Sequence, residues 1–226
     1  MERDPHQLIE GMIIASYAVN CNLAFIYIRG EFWEAYQVLE RALEEARGKG
    51  FLGRKIFGTN FDLDIVLHSG AGAYICGEET GLIESLEGKR GHPRQKPPFP
   101  AVQGLYGCPT VVNNVETLSN LPHIFNRGVE WYTSIGSNPK NTGPKLYCMS
   151  GHLNKPAVIE RELGVPLPEL IYDICGGIPG GRKLKGVIPG GSSVPILRAD
   201  EIDVRMDFDS LAAKGTLLGS AGCMVL

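Results

Sequence analysis

Hydrophobic residues recur at helix and strand spacing through the first half of the chain. Apolar positions three and four residues apart predict amphipathic helices, and short apolar runs between them predict buried parallel strands. The predicted elements are a helix over 5–19, a strand at Leu23–Ile28, a helix at Glu31–Arg47, a strand at Leu63–Leu67 and a helix at Glu78–Leu86. Strands separated by helices of this length favour right-handed crossovers and a parallel sheet. We therefore predict an α/β fold.

The pattern changes after Gly143. A strand pair, a short helix, a further strand and a final apolar strand are predicted at Lys145–Ser150 with Ala157–Leu163, Leu167–Ile174, Leu184–Ile188 and within 215–226. This order suggests a small β-grasp-like second domain. The polar, turn-rich segment Ser137–Pro144 is the predicted linker, so the predicted domains are 1–136 and 144–226.

The amino-acid composition and charge argue against several classes of protein. The 226 residues carry a net charge of −3 and are 43% hydrophobic, which fits an ordinary globular protein. No basic block favours nucleic acid as a partner, and neither a membrane span nor a signal peptide is evident. The six cysteines form no C-x-x-C pair and the histidines are isolated, so no metal or iron–sulfur site is predicted within the chain. We expect a cytoplasmic protein without direct membrane insertion.

A glycine-rich turn between the second strand and the following helix holds the candidate chemistry. Gly72 and Gly77 have P-loop spacing, but Glu78 and Glu79 replace the required Lys-Ser/Thr and would repel a triphosphate. The dinucleotide fingerprint G-x-G-x-x-G also fails, because Ile75 stands where its third glycine is needed. Two interpretations remain open for the acids. They complement the dipole of the helix, or they accept hydrogen bonds from a ligand in a polar pocket.

The segment 88–110 holds five prolines and four glycines and cannot be a regular element. A loop this long inside a domain is usually functional or disordered, and a helix at Val115–Arg127 is predicted to follow it. Each notable residue here has a purely structural alternative. Phe99 could be a buried anchor of the loop, and Asn113 and Asn114 could cap the next helix. The four basic residues of the segment could form a solvated basic loop; these are Lys89, Arg90, Arg94 and Lys96. For Tyr74 and Cys76, in the glycine-rich turn, the simplest expectation is that both side chains are buried in the core.

Taken together, residues 70–117 read GAGAYICGEETGLIESLEGKRGHPRQKPPFPAVQGLYGCPTVVNNVET. This run closely resembles the NADH-binding flavoprotein subunit of respiratory complex I, a module also found in NAD-linked hydrogenases and formate dehydrogenases. The similarity extends over nearly the whole chain, including AFIYIRGE, VIPGGSSVP and MDFDSL. It implies a Rossmann-like domain that binds FMN and NADH, followed by a soluble-ligand-binding β-grasp domain. The implied reaction is hydride transfer from NADH to FMN, which needs no protein nucleophile.

The resemblance also implies which residues bind the cofactors FMN and NAD. Residues of the turn are matched to the flavin and NADH contacts, and Phe99 is matched to the aromatic ring that stacks on adenine. The implied cofactor-binding residues are Gly70, Gly72, Gly77, Glu78, Glu79, Thr80, Lys96, Phe99, Asn113 and Asn114. Glu79 is expected to bind a nucleotide ribose and to orient it, with no catalytic residue assigned.

Members of this family also carry an upstream glycine-rich loop and a downstream set of [4Fe–4S] ligands, and neither lies in these 226 residues. We therefore expect an internal segment of the subunit, with part of the flavin pocket and weak flavin binding in isolation. The implied partners are NADH, a thioredoxin-like iron–sulfur subunit and a large iron–sulfur subunit, in the peripheral arm of a membrane-bound complex that reduces quinone. The alternatives are a diaphorase of a hydrogenase or formate dehydrogenase, and a non-catalytic partner-binding module.

Overall fold

The computed structural model describes all 226 residues, which divide into two compact units, Met1–Asn126 and Arg127–Leu226. Both units combine helices with sheets, so the predicted α/β class is confirmed. No helix of the structure combines the length and the apolar character that crossing a lipid bilayer requires.

The first unit is built on two parallel strands with helices around them. Its helices and strands are α1 (Pro5–Ala18), β1 (Leu23–Ile28), α2 (Trp33–Gly48), β2 (Asp64–Ser69), α3 (Glu79–Leu86) and α4 (Val115–Arg127). The strands pair in register from Leu23 opposite Asp64 to Ile28 opposite Ser69. The bounds of β1 and α4 agree with the sequence prediction, and the remaining bounds shift by at most two residues.

The core of the first unit lies between the sheet and the first two helices. Helix α1 begins where the Asp4 side chain accepts a hydrogen bond from the Gln7 amide at 3.1 Å, with Pro5 at the first helical position. The apolar stripe of α2 is fully buried at Leu39 and Leu43. Phe32 lies within the predicted helix Glu31–Arg47. In the structure it precedes the first turn of α2 and is 44% exposed, so the predicted start of the helix was two residues early.

The second unit contains a mixed five-stranded sheet. Its elements are α5 (Val129–Thr133), β3 (Gly136–Asn138), β4 (Asn141–Thr142), β5 (Pro144–Gly151), β6 (Ala157–Glu162), a short π-helix (Glu169–Ile174), β7 (Gly186–Ile188), β8 (Leu197–Arg198), α6 (Phe208–Ala213) and β9 (Gly222–Val225). The strand order is β6-β5-β9-β7-β8. The last strand, β9, is central, parallel to β5 and antiparallel to β7. The predicted hairpin of β5 and β6 is confirmed.

The segment predicted as a linker, Ser137–Pro144, is a folded part of the second unit. It contains the β3–β4 hairpin, and the Asn141 side chain within it is 1% exposed. That side chain donates to Asp209 Oδ2 at 2.8 Å and accepts from the Phe208 amide at 3.1 Å. The linker interpretation was wrong because polar, turn-rich composition is shared by linkers and by hairpins whose amides bond inward. The domain bounds 1–136 and 144–226 stay a prediction.

Candidate functional site

The glycine-rich turn lies at the carboxyl ends of the two parallel strands, where open α/β sheets bind ligands. The Gly70 amide donates to the Ile28 carbonyl at 2.7 Å, which joins the two strand ends. A Cβ atom at Gly30 would lie 2.5 Å from the Gly70 carbonyl oxygen, and a Cβ at Gly70 would lie 2.8 Å from the Tyr27 hydroxyl. Glycine is therefore required at position 30, where the neighbouring atom is backbone, whereas a side chain at position 70 would displace the Tyr27 ring.

Glu78 caps helix α3. Its Oε2 accepts hydrogen bonds from the Thr80 amide at 2.9 Å, the Gly81 amide at 2.8 Å and the Thr80 hydroxyl at 2.5 Å. Partial burial raises the pKa of this carboxyl, but the hydrogen bonds from Thr80, Gly81 and Lys96 outweigh burial and lower the pKa to about 2. Glu78 is thus a fixed anion at neutral pH. The interpretation that Glu78 complements the dipole of the helix is therefore confirmed.

A depression opens beside this cap, lined by Tyr74, Ile75, Gly77 and Glu78. Tyr74 is 87% exposed, so the expectation that it points into the core was wrong. Cys76, two residues on, is buried as expected. Tyr74 and Cys76 differ in burial because they lie on a 3₁₀ turn, Tyr74–Gly77, in which successive side chains point in different directions.

Gly77 is an exposed residue that lines this depression, and its surroundings differ from those of Gly30 and Gly70. Its φ angle is in the ordinary negative region, and a Cβ atom there would meet no atom within 4 Å. Nothing in the chain itself demands glycine at this position. The open space beside a glycine backbone suits the close approach of a flat ligand.

Lys96 forms ion pairs with both acidic residues of the turn, Glu78 and Glu79. Its Nζ donates to Glu78 Oε1 at 3.2 Å and to Glu79 Oε1. The Glu79 contact, more than the Glu78 contact, raises the pKa of Lys96 against the opposing effect of burial. All three side chains remain partly exposed, so their charged ends are accessible to a ligand.

Arg94 is fixed in place, contrary to the expectation of a solvated basic loop. Its guanidinium donates to Glu84 Oε1 at 2.5 Å, to Glu87 Oε1 at 2.8 Å and to the Gly104 carbonyl at 2.9 Å. The sequence holds a signal for this arrangement. Glu84, in the last turn of α3, and Glu87, its C-cap residue, are three residues apart and therefore lie on the same side of the helix end.

The remaining predicted site residues are exposed. Phe99 is 57% exposed, so it is not a buried anchor of the loop. Asn114 caps α4, since its Oδ1 accepts from the Glu116 amide at 2.9 Å and its carbonyl from the Leu118 amide at 3.1 Å. Asn113 is exposed beside it.

The structure therefore joins part of the predicted site into one group. Hydrogen bonds connect Glu78, Glu79, Thr80 and Lys96, and Gly77 adjoins them in the chain. Phe99 and the two asparagines make no hydrogen bond or ring contact to this group. The residues that sequence reasoning missed are Gly30, Tyr74 and Arg94. Gly30 could have been found from the rule that ligands bind where parallel strands end.

Family models and known proteins match nearly the whole chain. The family model described as the Nuo51 FMN-binding domain matches residues 1–123, and that of the SLBB domain matches residues 145–217. The F 2 subunit of the NADH-quinone oxidoreductase of Rhizobium meliloti (strain 1021) is 54% identical over 226 residues, which are 100% of this chain and 53% of that protein. The F subunit of the NADH-quinone oxidoreductase of Rickettsia typhi is 54% identical over 224 residues, 99% of this chain and 53% of that protein. The chain spans about half the length of these relatives.

Two solved structures also match this chain over nearly its whole length. The NAD⁺-reducing [NiFe]-hydrogenase in its H₂-reduced state matches with a TM-score of 0.82 and 36% identity, over 99% of this chain and 36% of that chain. The air-oxidised state of an NAD⁺-reducing [NiFe]-hydrogenase matches with a TM-score of 0.84 and 35% identity, over 100% of this chain and 36% of that chain.

Proposed function

The chain belongs to the Nuo51 FMN-binding domain family, and from this premise we propose that it forms the FMN- and NADH-binding part of an NADH dehydrogenase subunit. In this proposal a hydride passes from NADH to FMN, and electrons continue through iron–sulfur clusters to quinone. The observation that carries the proposal is Gly77, a glycine with free space above it beside a fixed carboxylate, within the family's matched residues 1–123.

The residues of the turn fit a flavin. Gly77 leaves room for a flat ring to approach the backbone, and Tyr74 and Glu78 border that space with an aromatic ring and hydrogen-bond acceptors. When bound, FMN supplies the acceptor for the hydride of NADH. Of the chain's own residues, Gly70 and Gly72 shape the turn, and Thr80 holds the Glu78 carboxylate in one orientation.

The NADH-binding role falls to residues on both sides of the turn. Glu79 is partly exposed and is proposed to accept hydrogen bonds from a ribose. Lys96 offsets one of the two negative charges of the acids and so lessens their repulsion of an anionic dinucleotide. Phe99 offers an exposed ring for stacking on adenine, and Asn113 with Asn114 is proposed to border the flavin.

A hybrid subunit tests the proposal. In the hybrid, residues 1–226 of this chain replace the matching part of the Rhizobium meliloti protein, which is 54% identical over that length. We expect the purified hybrid to retain FMN and to oxidise NADH with ferricyanide as electron acceptor. The unmodified Rhizobium meliloti protein, prepared in the same way, is the control. An active control beside a hybrid that neither retains FMN nor oxidises NADH would overturn the proposal.

A diaphorase role in an NAD-linked hydrogenase is the second candidate. It is favoured by the similarity to the [NiFe]-hydrogenase structures at TM-scores of 0.82 and 0.84. The 54% identity to quinone oxidoreductase subunits favours the first candidate over this one. The two differ in partner subunits, so identifying the proteins that copurify with the full subunit distinguishes them. A non-catalytic binding module is the third alternative, and it predicts no flavin in the hybrid.

We also propose the finer assignments that accompany this function. The first domain, residues 1–136, would bind FMN and NADH, and the β-grasp-like domain, residues 144–226, would dock a partner. The proposed partners are a thioredoxin-like and a large iron–sulfur subunit in the peripheral arm of a complex. A [4Fe–4S] cluster would be ligated by residues outside the 226.

A further inference from the structure

One side chain closes the loop that follows α3. The Arg94 guanidinium donates to the Gly104 carbonyl at 2.9 Å, so a single arginine joins the two ends of an eleven-residue segment, 94–104. Phe99 lies at the midpoint of this segment and is exposed. Lys96 lies between them and reaches Glu78 and Glu79. We call residues 94–104 the nucleotide arm.

The base of the nucleotide arm is anchored to the end of α3 by Glu87, whose side chain is 7% exposed. Its Oε1 accepts from Arg94 at 2.8 Å and from the Tyr106 amide at 2.8 Å, and its Oε2 accepts from Lys89 at 2.7 Å. Glu84 holds the other edge of the same guanidinium at 2.5 Å. Arg94, at the start of the arm, and Tyr106, two residues beyond its end, are therefore both bonded to Glu87 at the C-cap of α3.

A further link connects the arm to the turn. The Arg94 amide donates to Thr80 Oγ1 at 2.8 Å, and this hydroxyl donates in turn to Glu78 Oε2 at 2.5 Å. Thr80 is 1% exposed, so the link is shielded from water. The position of Arg94 is thereby coupled to the carboxylate that borders the depression.

We infer that Arg94 is a positioning residue for nucleotide binding: it holds the nucleotide arm so that Lys96 stays bonded to the acids of the Gly77–Glu79 turn and Phe99 is presented, exposed, at the midpoint of the arm. The inference rests on the proposed function, because it assigns the arm's ligand to the NADH of that site. Closing the segment before binding removes the entropy cost of ordering it when the ligand arrives. Loss of the closure should weaken nucleotide binding and leave the bound flavin in place.

The test compares Arg94→Lys with Lys89→Ala in the hybrid subunit. A lysine has its donors on one nitrogen and lacks the planar fork by which three nitrogens of Arg94 bond Glu84, Glu87 and Gly104 together. We expect Arg94→Lys to raise the KM for NADH at least about tenfold, with kcat within about twofold and flavin content unchanged. Lys89→Ala breaks another ion pair of Glu87 outside the arm and should leave the KM unchanged. Glu84→Gln removes the negative charge from one of the three guanidinium contacts, and a smaller rise in KM is expected.

Two outcomes would overturn the inference. One is a KM for NADH in Arg94→Lys and Glu84→Gln equal to that of the unsubstituted hybrid. The other is a parallel loss of kcat and flavin, which would show a general structural role. Hydrogen exchange on the 226-residue chain gives a readout independent of activity: Arg94→Lys should speed exchange in 95–106 while β1 and β2 keep their rates. An unsubstituted hybrid that does not oxidise NADH would instead be a failure of the proposed function.

Discussion

Gly30 and Gly70 meet where the two parallel strands end, with no room for a side chain between them. A Cβ atom at position 30 would lie 2.5 Å from the Gly70 carbonyl oxygen, which is backbone and cannot move aside as a flexible side chain could. This contact sets the geometry of the edge from which the glycine-rich turn departs. The candidate site therefore depends on a residue forty positions earlier in the chain.

We expect Gly30→Ala to lower the free energy of unfolding by about 1–3 kcal/mol, the usual cost of overpacking. Thermal denaturation followed by circular dichroism measures this loss. Gly48→Ala is the matched control, because Gly48 ends α2 and a Cβ atom there would meet no atom within 4 Å, so this change should be neutral or slightly stabilising. Equal stability of Gly30→Ala and the unsubstituted chain would contradict the packing argument.

Gly77→Ala should separate folding from flavin binding. Because a Cβ there meets no atom of the chain, the free energy of unfolding should stay within about 0.5 kcal/mol of the unsubstituted value. The added methyl group would occupy space proposed for the flavin, so we expect the hybrid subunit to lose at least about tenfold in FMN affinity. Flavin fluorescence quenching measures the affinity. Retention of full affinity would place the flavin elsewhere.

Local pattern predicted the elements of the fold well, because each depends on residues close in sequence. Strand β1 and helix α4 have their predicted bounds, since apolar runs and helical periodicity are local signals. The errors fall where a distant partner decides. Arg94 is held by acidic residues at the end of α3, although its local sequence is typical of a solvated loop. Asn141 is held by Asp209 and Phe208, although its local sequence is typical of a linker.

The same limit applies to the candidate site. The turn and its acids could be found because they are contiguous in sequence, and the family resemblance supplied Lys96 and Phe99. Whether Tyr74 faces the core or the solvent depends on the path of a single 3₁₀ turn, which spacing does not reveal. The closure of the nucleotide arm joins residues ten positions apart through one side chain, and no periodic signal marks it.

Glu87 should make the stability of the first unit depend on pH. The hydrogen bond from Lys89 is the largest influence on its pKa, and with those from Arg94 and Tyr106 it outweighs burial and lowers the pKa from 4.5 to about 2. A lowered pKa stabilises the fold above 4.5, and this contribution is lost as the pH falls from 4.5 towards 2. Full linkage would give about 3 kcal/mol, but we expect about 1–2 kcal/mol because Lys89 is exposed to water.

Urea denaturation of Glu87→Gln at a series of pH values measures this contribution. The variant should be about 1–2 kcal/mol less stable than the unsubstituted chain at pH 7, and the difference should shrink as the pH is lowered below 4.5. Glu44→Gln, an exposed position on α2, is a control that should follow the unsubstituted chain. A difference that stays constant from pH 7 to pH 3 would mean that the Glu87 charge contributes nothing.

Asn141→Ala tests whether the β3–β4 hairpin is part of the second unit's fold. The substitution leaves the Phe208 amide without its acceptor and Asp209 without a donor at a site that is 1% exposed, so we expect a loss of about 2–4 kcal/mol. Hydrogen exchange should then speed up in β5 and β9, while β1 and β2 keep their protection because they belong to the other unit. Lys140→Ala changes an exposed side chain in the same turn and should alter neither. If Asn141→Ala behaved like Lys140→Ala, the hydrogen bonds of the Asn141 side chain would contribute nothing to the stability of the second unit.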